Sequence, residues 1–289
     1  MSRRFVLTLG CPDRIGIVAR IATFLAELGG TIMEAAYHAD SDSNWFFTRQ
    51  SVDAASIGME LDELRRRFER VAAELGPETD WHIADSDEPK DVVILVSKEG
   101  HCLHDLLGRV ASGDYPPVRI RAVIGNHDTL RGMTEAHDVP FYHVPFPAEP
   151  SERGPAFDEV AGIVDDIDPQ AIVLARFMQV LPDELCTRWA GRALNIHHSF
   201  LPSFVGARPY HQAHIRGVKL IGATCHYVTA DLDEGPIIEQ DVIRVDHTAT
   251  VRDMVRQGRD AEKLVLARGL RWHLEDRVLV HGGRTVVFT

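Results

Sequence analysis

The chain has only four cysteines in 289 residues, Cys11, Cys102, Cys186 and Cys225, and no two of them form a C-x-x-C pair. That scatter excludes a disulfide framework or a zinc knuckle and fits reduced, mostly buried thiols. Long apolar runs are missing too, since no stretch approaches the roughly 18 consecutive apolar residues that a spanning helix needs. The opening Met1-Ser2-Arg3-Arg4 before Phe5-Val6-Leu7 lacks a signal-peptide apolar block of sufficient length. A cytoplasmic protein is expected. Basic residues are outnumbered, 31 Lys plus Arg against 43 Asp plus Glu, for a net charge of −12. A surface so negative repels phosphate backbones and anionic lipid, so neither nucleic acid nor a membrane is expected as a partner.

What is present, 45% hydrophobic residues over this length, supports two cores better than one. Residues 3–10 read as a strand, and Cys11-Pro12-Asp13-Arg14 opens a helix carrying Ile17, Ile21, Phe24, Leu25 and Leu28 at helical spacing until Gly29-Gly30. Strand-like stretches at 31–38 and 45–53, an amphipathic helix at about 59–75 and a strand near 79–84 complete a βαββαβ order. That order predicts a ferredoxin-like unit over 1–86, with Asp85-Ser86-Asp87-Glu88-Pro89 as linker. From there to residue 289 strands alternate with helices, the grammar of a Rossmann-like, mostly parallel sheet covered on both faces. The expected strands are Val92–Ser97, Val118–Gly125, Phe141–Val144, Ala171–Ala175 and Ala193–Ile196, followed by a pair at 219–228 and 236–245, a helix near 250–273 and a hairpin around Gly282-Gly283.

Ligands of an open parallel sheet bind beyond the carboxyl ends of its strands. After Ala193–Ile196 comes Asn195-Ile196-His197-His198-Ser199-Phe200-Leu201-Pro202. Side chains alternate along a strand, so Asn195 and His197 share a side at its carboxyl end, where both can meet one carbonyl oxygen. An amide N–H and an imidazolium can hold an oxyanion, and the imidazole can pass a proton. A carboxylate is still needed, and Asp233, in the turn Asp231-Leu232-Asp233-Glu234-Gly235-Pro236, is the candidate. Fifteen histidines, with His197-His198, His211-x-x-His214 and His226 in the second half, also raise a metallohydrolase reading. No H-E-x-x-H motif supports it, and no metal is expected. A purely regulatory protein is the third reading, opposed by the intact trio.

Asn195-Ile196-His197, the following Ser199-Phe200-Leu201-Pro202-x-Phe204-x-Gly206, and Leu232-Asp233-Glu234-Gly235-Pro236 resemble the signature of the folate-dependent formyltransferase fold. The stretches His197–Pro202, Gly206–Ala213 and Val245–Thr248 resemble its formyltetrahydrofolate deformylase branch, and the likeness extends over essentially the whole chain. Gly10–Val18 resembles the opening of an ACT domain. The resemblance implies Asn195, His197 and Asp233 as catalytic residues of a hydrolase acting on a linear amide C–N bond. The reaction implied is release of formate and tetrahydrofolate from 10-formyltetrahydrofolate, feeding one-carbon and purine metabolism. Tetrahydrofolate is then product and not cofactor, and no cofactor is expected. In the ACT-like part, Asp13, Arg14 and Gly16 become candidates for holding a small amino-acid effector, and pairing of such modules implies a homo-oligomer.

The same trio serves transfer of the formyl group to an amine, so the acceptor is a separate question. Ser97-Lys98-Glu99-Gly100-His101-Cys102-Leu103 stands where the ribonucleotide formyltransferases carry a Gly-Ser-Asn-rich phosphate loop. Glu99 and the larger side chains disfavour a phosphate there, which leaves water as acceptor. By the same resemblance the pterin pocket falls to Arg176, Phe177, Met178, Gln179, Val180 and Leu181, and to Val228, Thr229 and Asp231. Those transferases place an Arg at Gln179 for the folate glutamate tail, and here Arg176 or Arg208 is the replacement to look for.

Overall fold

A computed structural model describes residues 2–202 and 209–289. The chain divides into two compact units, Met1–Pro89 with Glu275–Thr289, and Lys90–Leu274.

The first unit runs β1 (Arg4–Pro12), α1 (Ile17–Glu27), β2 (Ile32–Asp40), β3 (Trp45–Asp53), α2 (Ala54–Ile57), α3 (Leu61–Leu75) and β4 (Asp80–Asp85). Its antiparallel sheet has the order β2-β3-β1-β4, which the expected βαββαβ succession produces. Leu7 and Leu9 of β1 pack with Ile21 and Phe24 of α1 and Leu64 and Phe68 of α3, so the helical stripes read from spacing are the ones buried. One expectation is corrected. Cys11 and Pro12 belong to β1, and the helix begins only at Ile17, with Gly16 as its N-cap at φ 99. The Asp13 amide donates to the Asn44 carbonyl at 2.9 Å, so this stretch closes onto the β2–β3 turn before helix can start.

The second unit comprises β5 (Lys90–Val96), α4 (His101–Ala111), β6 (Val118–Gly125), α5 (Arg131–Glu135), β7 (Phe141–His143), α6 (Gly154–Ile167), β8 (Ala171–Ala175), α7 (Asp183–Arg188), β9 (Ala193–His197), α8 (Pro209–Arg216), β10 (Leu220–Tyr227), β11 (Ile237–Arg244) and α9 (Val251–Leu274). Its sheet has the order β11-β10-β9-β8-β5-β6-β7. The five strands from β9 to β7 are parallel, and β10 runs antiparallel to both β9 and β11. All five β8 residues are buried, as are six of the seven in β5, which is why they read as unbroken apolar runs. From β5 the chain first builds outward through β6 and β7, then returns to place β8 on the other side. The switch point of the sheet therefore lies between β5 and β8.

The terminal hairpin, β12 (Val278–His281) with β13 (Arg284–Val287), corrects the expected domain limit, because it belongs to the first unit. The Arg49 guanidinium donates to the carbonyls of Glu275 and Asp276. Arg277 pairs with Glu34 at 3.5 Å, and His281 stacks on Trp45 with centroids 4.2 Å apart. All four cysteines are buried and free, as expected, and no helix among the described residues is long and apolar enough to cross a membrane.

Candidate active site

Asn195 and His197 close the buried strand β9, and β10 pairs with it so that His226 lies opposite Asn195 and Thr224 opposite His197. Asp233 comes from the turn between β10 and β11, at φ 59, a conformation that Asp tolerates better than most residues. Gly235 is obligatory in that turn, because a Cβ there would collide with the Tyr227 carbonyl. The turn carries the carboxylate back to β9, where Asp233 Oδ1 lies 3.2 Å from His197 Nδ1. The trio expected from sequence is thus brought together in space.

The direction of the hydrogen bonds follows from the groups themselves. The bond from His197 holds the Asp233 carboxyl below its ordinary value, against the opposing effect of burial, so Asp233 is a carboxylate and Nδ1 of His197 carries a proton. Nε2 of His197 is buried and has no partner among the described residues. His226 Nδ1 lies 2.9 Å from the Tyr227 carbonyl oxygen. A carbonyl only accepts, so Nδ1 bears the proton and Nε2 takes the 3.2 Å bond from the Asn195 amide nitrogen. Burial pushes the His226 imidazole down and keeps it neutral. His226 thereby fixes which end of Asn195 presents N–H, a role that sequence reasoning did not assign. In the sequence it stands out among the clustered histidines of the second half and by its position seven residues before Asp233 on the expected strand.

A cleft opens beside these residues, lined by Asn195, His226 and Asp233 with Leu174, Cys186 and segments 179–181 and 228–232. Gln179, Val180, Leu181, Val228, Thr229 and Asp231 therefore stand where a folate pocket was expected. Arg176, Phe177 and Met178 do not line it. The Phe177 ring is in the core, edge-on to Phe146 at 5.6 Å. Met178 is exposed, and the partly buried Arg176 side chain pairs with Glu262 at 3.6 Å. Arg176 is thus directed away from the cleft, and Arg208 lies outside the described residues. In the first unit, Gly16 leaves α1 without a side-chain cap, while the Arg14 guanidinium donates to the Glu74 carbonyl.

Among the described residues one group has metal-like spacing, His101, Cys102 and Glu262, with donor atoms within 4.8 Å of one another. Its chemistry suits a proton network better than an ion. Burial, then the Glu262 charge, pushes the Cys102 thiol well above its ordinary value, and the Glu262 oxygens already accept from His101 and Tyr210.

The model of the Formyl transferase family matches residues 90–270, the span that holds this sheet with Asn195, His197 and Asp233. A glycinamide ribonucleotide transformylase from Symbiobacterium toebii superposes with a TM-score of 0.65 at 29% identity, covering 69% of this chain and 94% of its own. A formyltetrahydrofolate deformylase from Corynebacterium is 44% identical over 98% of both chains. The crystal structure of another, from Pseudomonas syringae pv. tomato, matches with a TM-score of 0.97 and 54% identity over 100% of this chain and 95% of its own. The chain belongs to the formyltetrahydrofolate deformylase family.

Proposed function

We propose that this chain hydrolyses 10-formyltetrahydrofolate to formate and tetrahydrofolate, with the pterin in the cleft and water as acceptor. The observation that carries the reading is the Asp233–His197 contact beside Asn195, in a chain whose likeness to deformylases runs end to end. With Nδ1 bonded to Asp233, neutral His197 offers the lone pair of Nε2 to a water molecule. As water oxygen attacks the formyl carbon, Nε2 takes its proton, and the imidazolium so formed is stabilised by the Asp233 carboxylate. The remaining N–H of Asn195 holds the oxyanion, its orientation set by His226. Collapse breaks the bond from the formyl carbon to N10, His197 returns the proton to N10, and formate leaves. Incubating the protein with 10-formyltetrahydrofolate and no amine, while following formate and tetrahydrofolate, tests this. No formate release would overturn it.

Four free, buried cysteines support a cytoplasmic location. The open start of α1 at Gly16 supports an amino-acid effector held by Asp13, Arg14 and Gly16 in a homo-oligomer. A thermal-shift screen of the twenty amino acids and light scattering test those two points. No shift would remove the effector, and a monomer would remove the assembly.

A further inference from the structure

An open α/β sheet takes its ligand in the crevice at the switch point, which here lies between the carboxyl ends of β5 and β8. In this chain, side chains from the elements that follow those strands gather around one carboxylate. Glu262, on α9, is 1% exposed and accepts from His101 Nε2 at 2.8 Å and from the Tyr210 hydroxyl at 2.9 Å. His101 begins the helix that follows β5, and Arg176, the residue after β8, brings its Nε to 3.6 Å from the same carboxylate. Burial opposes the charge, yet the His101 bond, Arg176 and Tyr210 together hold the Glu262 carboxyl below its ordinary value. Tyr210 reaches it only because Gly258, one turn earlier on α9, is bare, since a Cβ there would run into the Tyr210 hydroxyl. His198 joins this cluster to the reaction centre. Its ring stacks on His197 with centroids 5.2 Å apart and lies 6.2 Å from the ring of Tyr210. None of His101, Arg176, His198, Tyr210 or Glu262 lines the cleft that reaches Asn195 and Asp233.

Formyl transfer requires two ligands to meet at one carbon. With the folate in the cleft, the body of an amine acceptor would have to approach from the switch point, across the face of His197 that His198 covers. We infer that the Glu262–His101–Tyr210–Arg176 cluster is the specificity-determining element of this chain, a plug in the acceptor crevice that admits water to the formyl carbon and excludes an amine. The inference rests on the hydrolytic reading above. A buried carboxylate would ordinarily attract an ammonium group, but Glu262 already accepts hydrogen bonds from His101 and Tyr210 and is paired with the Arg176 cation. An amine could enter only by breaking those bonds, and leaving them unmade in a buried site is costly.

Opening the plug should therefore change the acceptor. The amine nitrogen would attack the formyl carbon, the bond to N10 would break, and the proton given up by the amine would pass to N10, leaving a formamide and tetrahydrofolate. The test supplies 10-formyltetrahydrofolate with glycinamide as the probe amine and measures N-formylglycinamide by mass spectrometry against formate. Wild type should give formate with no more formylglycinamide than an enzyme-free control. Tyr210→Ala and His101→Ala should raise the ratio of formylglycinamide to formate at least about tenfold, a modest discrimination for a pocket change. Should Tyr210→Ala not fold, His101→Ala carries the test, because its side chain sits at the margin of the cluster, 14% exposed. Folded, formate-releasing variants with the wild-type ratio would overturn the inference, as would a wild type that already formylates glycinamide freely. Failure of the hydrolytic reading would look different, as absence of formate from wild type without any amine.

Discussion

Replacing Asp233 with Asn keeps the shape of the turn and removes one charge, and its cost can be worked from the site. Asp233 Oδ1 lies 3.2 Å from His197 Nδ1, and at an effective dielectric of about 20 an imidazolium and a carboxylate at that distance attract by about 5 kcal/mol. The imidazolium forms only as water attacks, so this attraction acts on the transition state and is almost absent from the ground state. The amide also removes the reason for Nδ1 to hold the proton, so part of the population has Nε2 protonated and useless as a base. A loss of about 10³-fold in kcat is expected, inside the range of about 10²–10⁴ that a positioned acid–base group contributes. KM should move little, because the change acts on the transition state. Formate release under saturating folate is the assay. The linked effect on stability has a definite sign: Asp233 has a lowered folded value, so its contribution is present above about pH 4 and lost as pH falls through the folded value. The variant should therefore be less stable than wild type at neutral pH, the two converging in strong acid. A folded Asp233→Asn protein within tenfold of wild-type kcat would refute the reasoning.

Asn195→Ala should lower kcat by about 10²–10³, the cost of one oxyanion donor, and His226→Ala, which only frees the Asn195 amide to turn, should cost less in the same assay. EDTA treatment should leave formate release unchanged; a rate restored by added metal would revive the metallohydrolase reading. His198 is pushed from 6.5 to about 4 by burial first and Arg176 second. The unfolded imidazole therefore protonates before the folded one, and stability should fall by about 3 kcal/mol as pH drops through that window, at about 1.4 kcal/mol per unit. Urea titrations should show His198→Asn flattening that fall, and equal slopes in the two proteins would refute the assignment.

Most elements of the fold were legible because their periods are local. β6 and β8 carry the expected ends, and α1 and α3 bury the stripes read from spacing. The terminal hairpin was recognisable as a hairpin, but its place was not. What ties it down is the Arg49 guanidinium, 5% exposed, together with Trp45 and Glu34. An Arg and a Trp on a strand give no sign that their partners lie more than two hundred residues away.

The trio was legible for the same reason in reverse, because Asn195, His197 and Asp233 lie in motifs whose spacing survives without any tertiary knowledge. His226 and Glu262 were not. The first matters through the register of β10 against β9, and the second reads in sequence as one more charge on a polar helix. Arg176 shows where side-chain alternation stops being a guide. Among the described residues, the positive-φ positions that are not glycine are Asn or Asp at all but two, Arg176 at φ 64 and Met178 at φ 62. A long side chain in that region costs about 1–2 kcal/mol, so two within three residues persist only where the surroundings over-determine them. Their surroundings differ in kind. Phe177 between them is locked in the core and its carbonyl accepts from Asn126 at 3.1 Å, while Arg176 is drawn towards the Glu262 carboxylate. The twist that removes Arg176 from the cleft is the same one that seats it in the acceptor crevice. The strain therefore belongs to the boundary between the two approaches to the formyl carbon, where a departure from ordinary backbone changes which ligand can arrive.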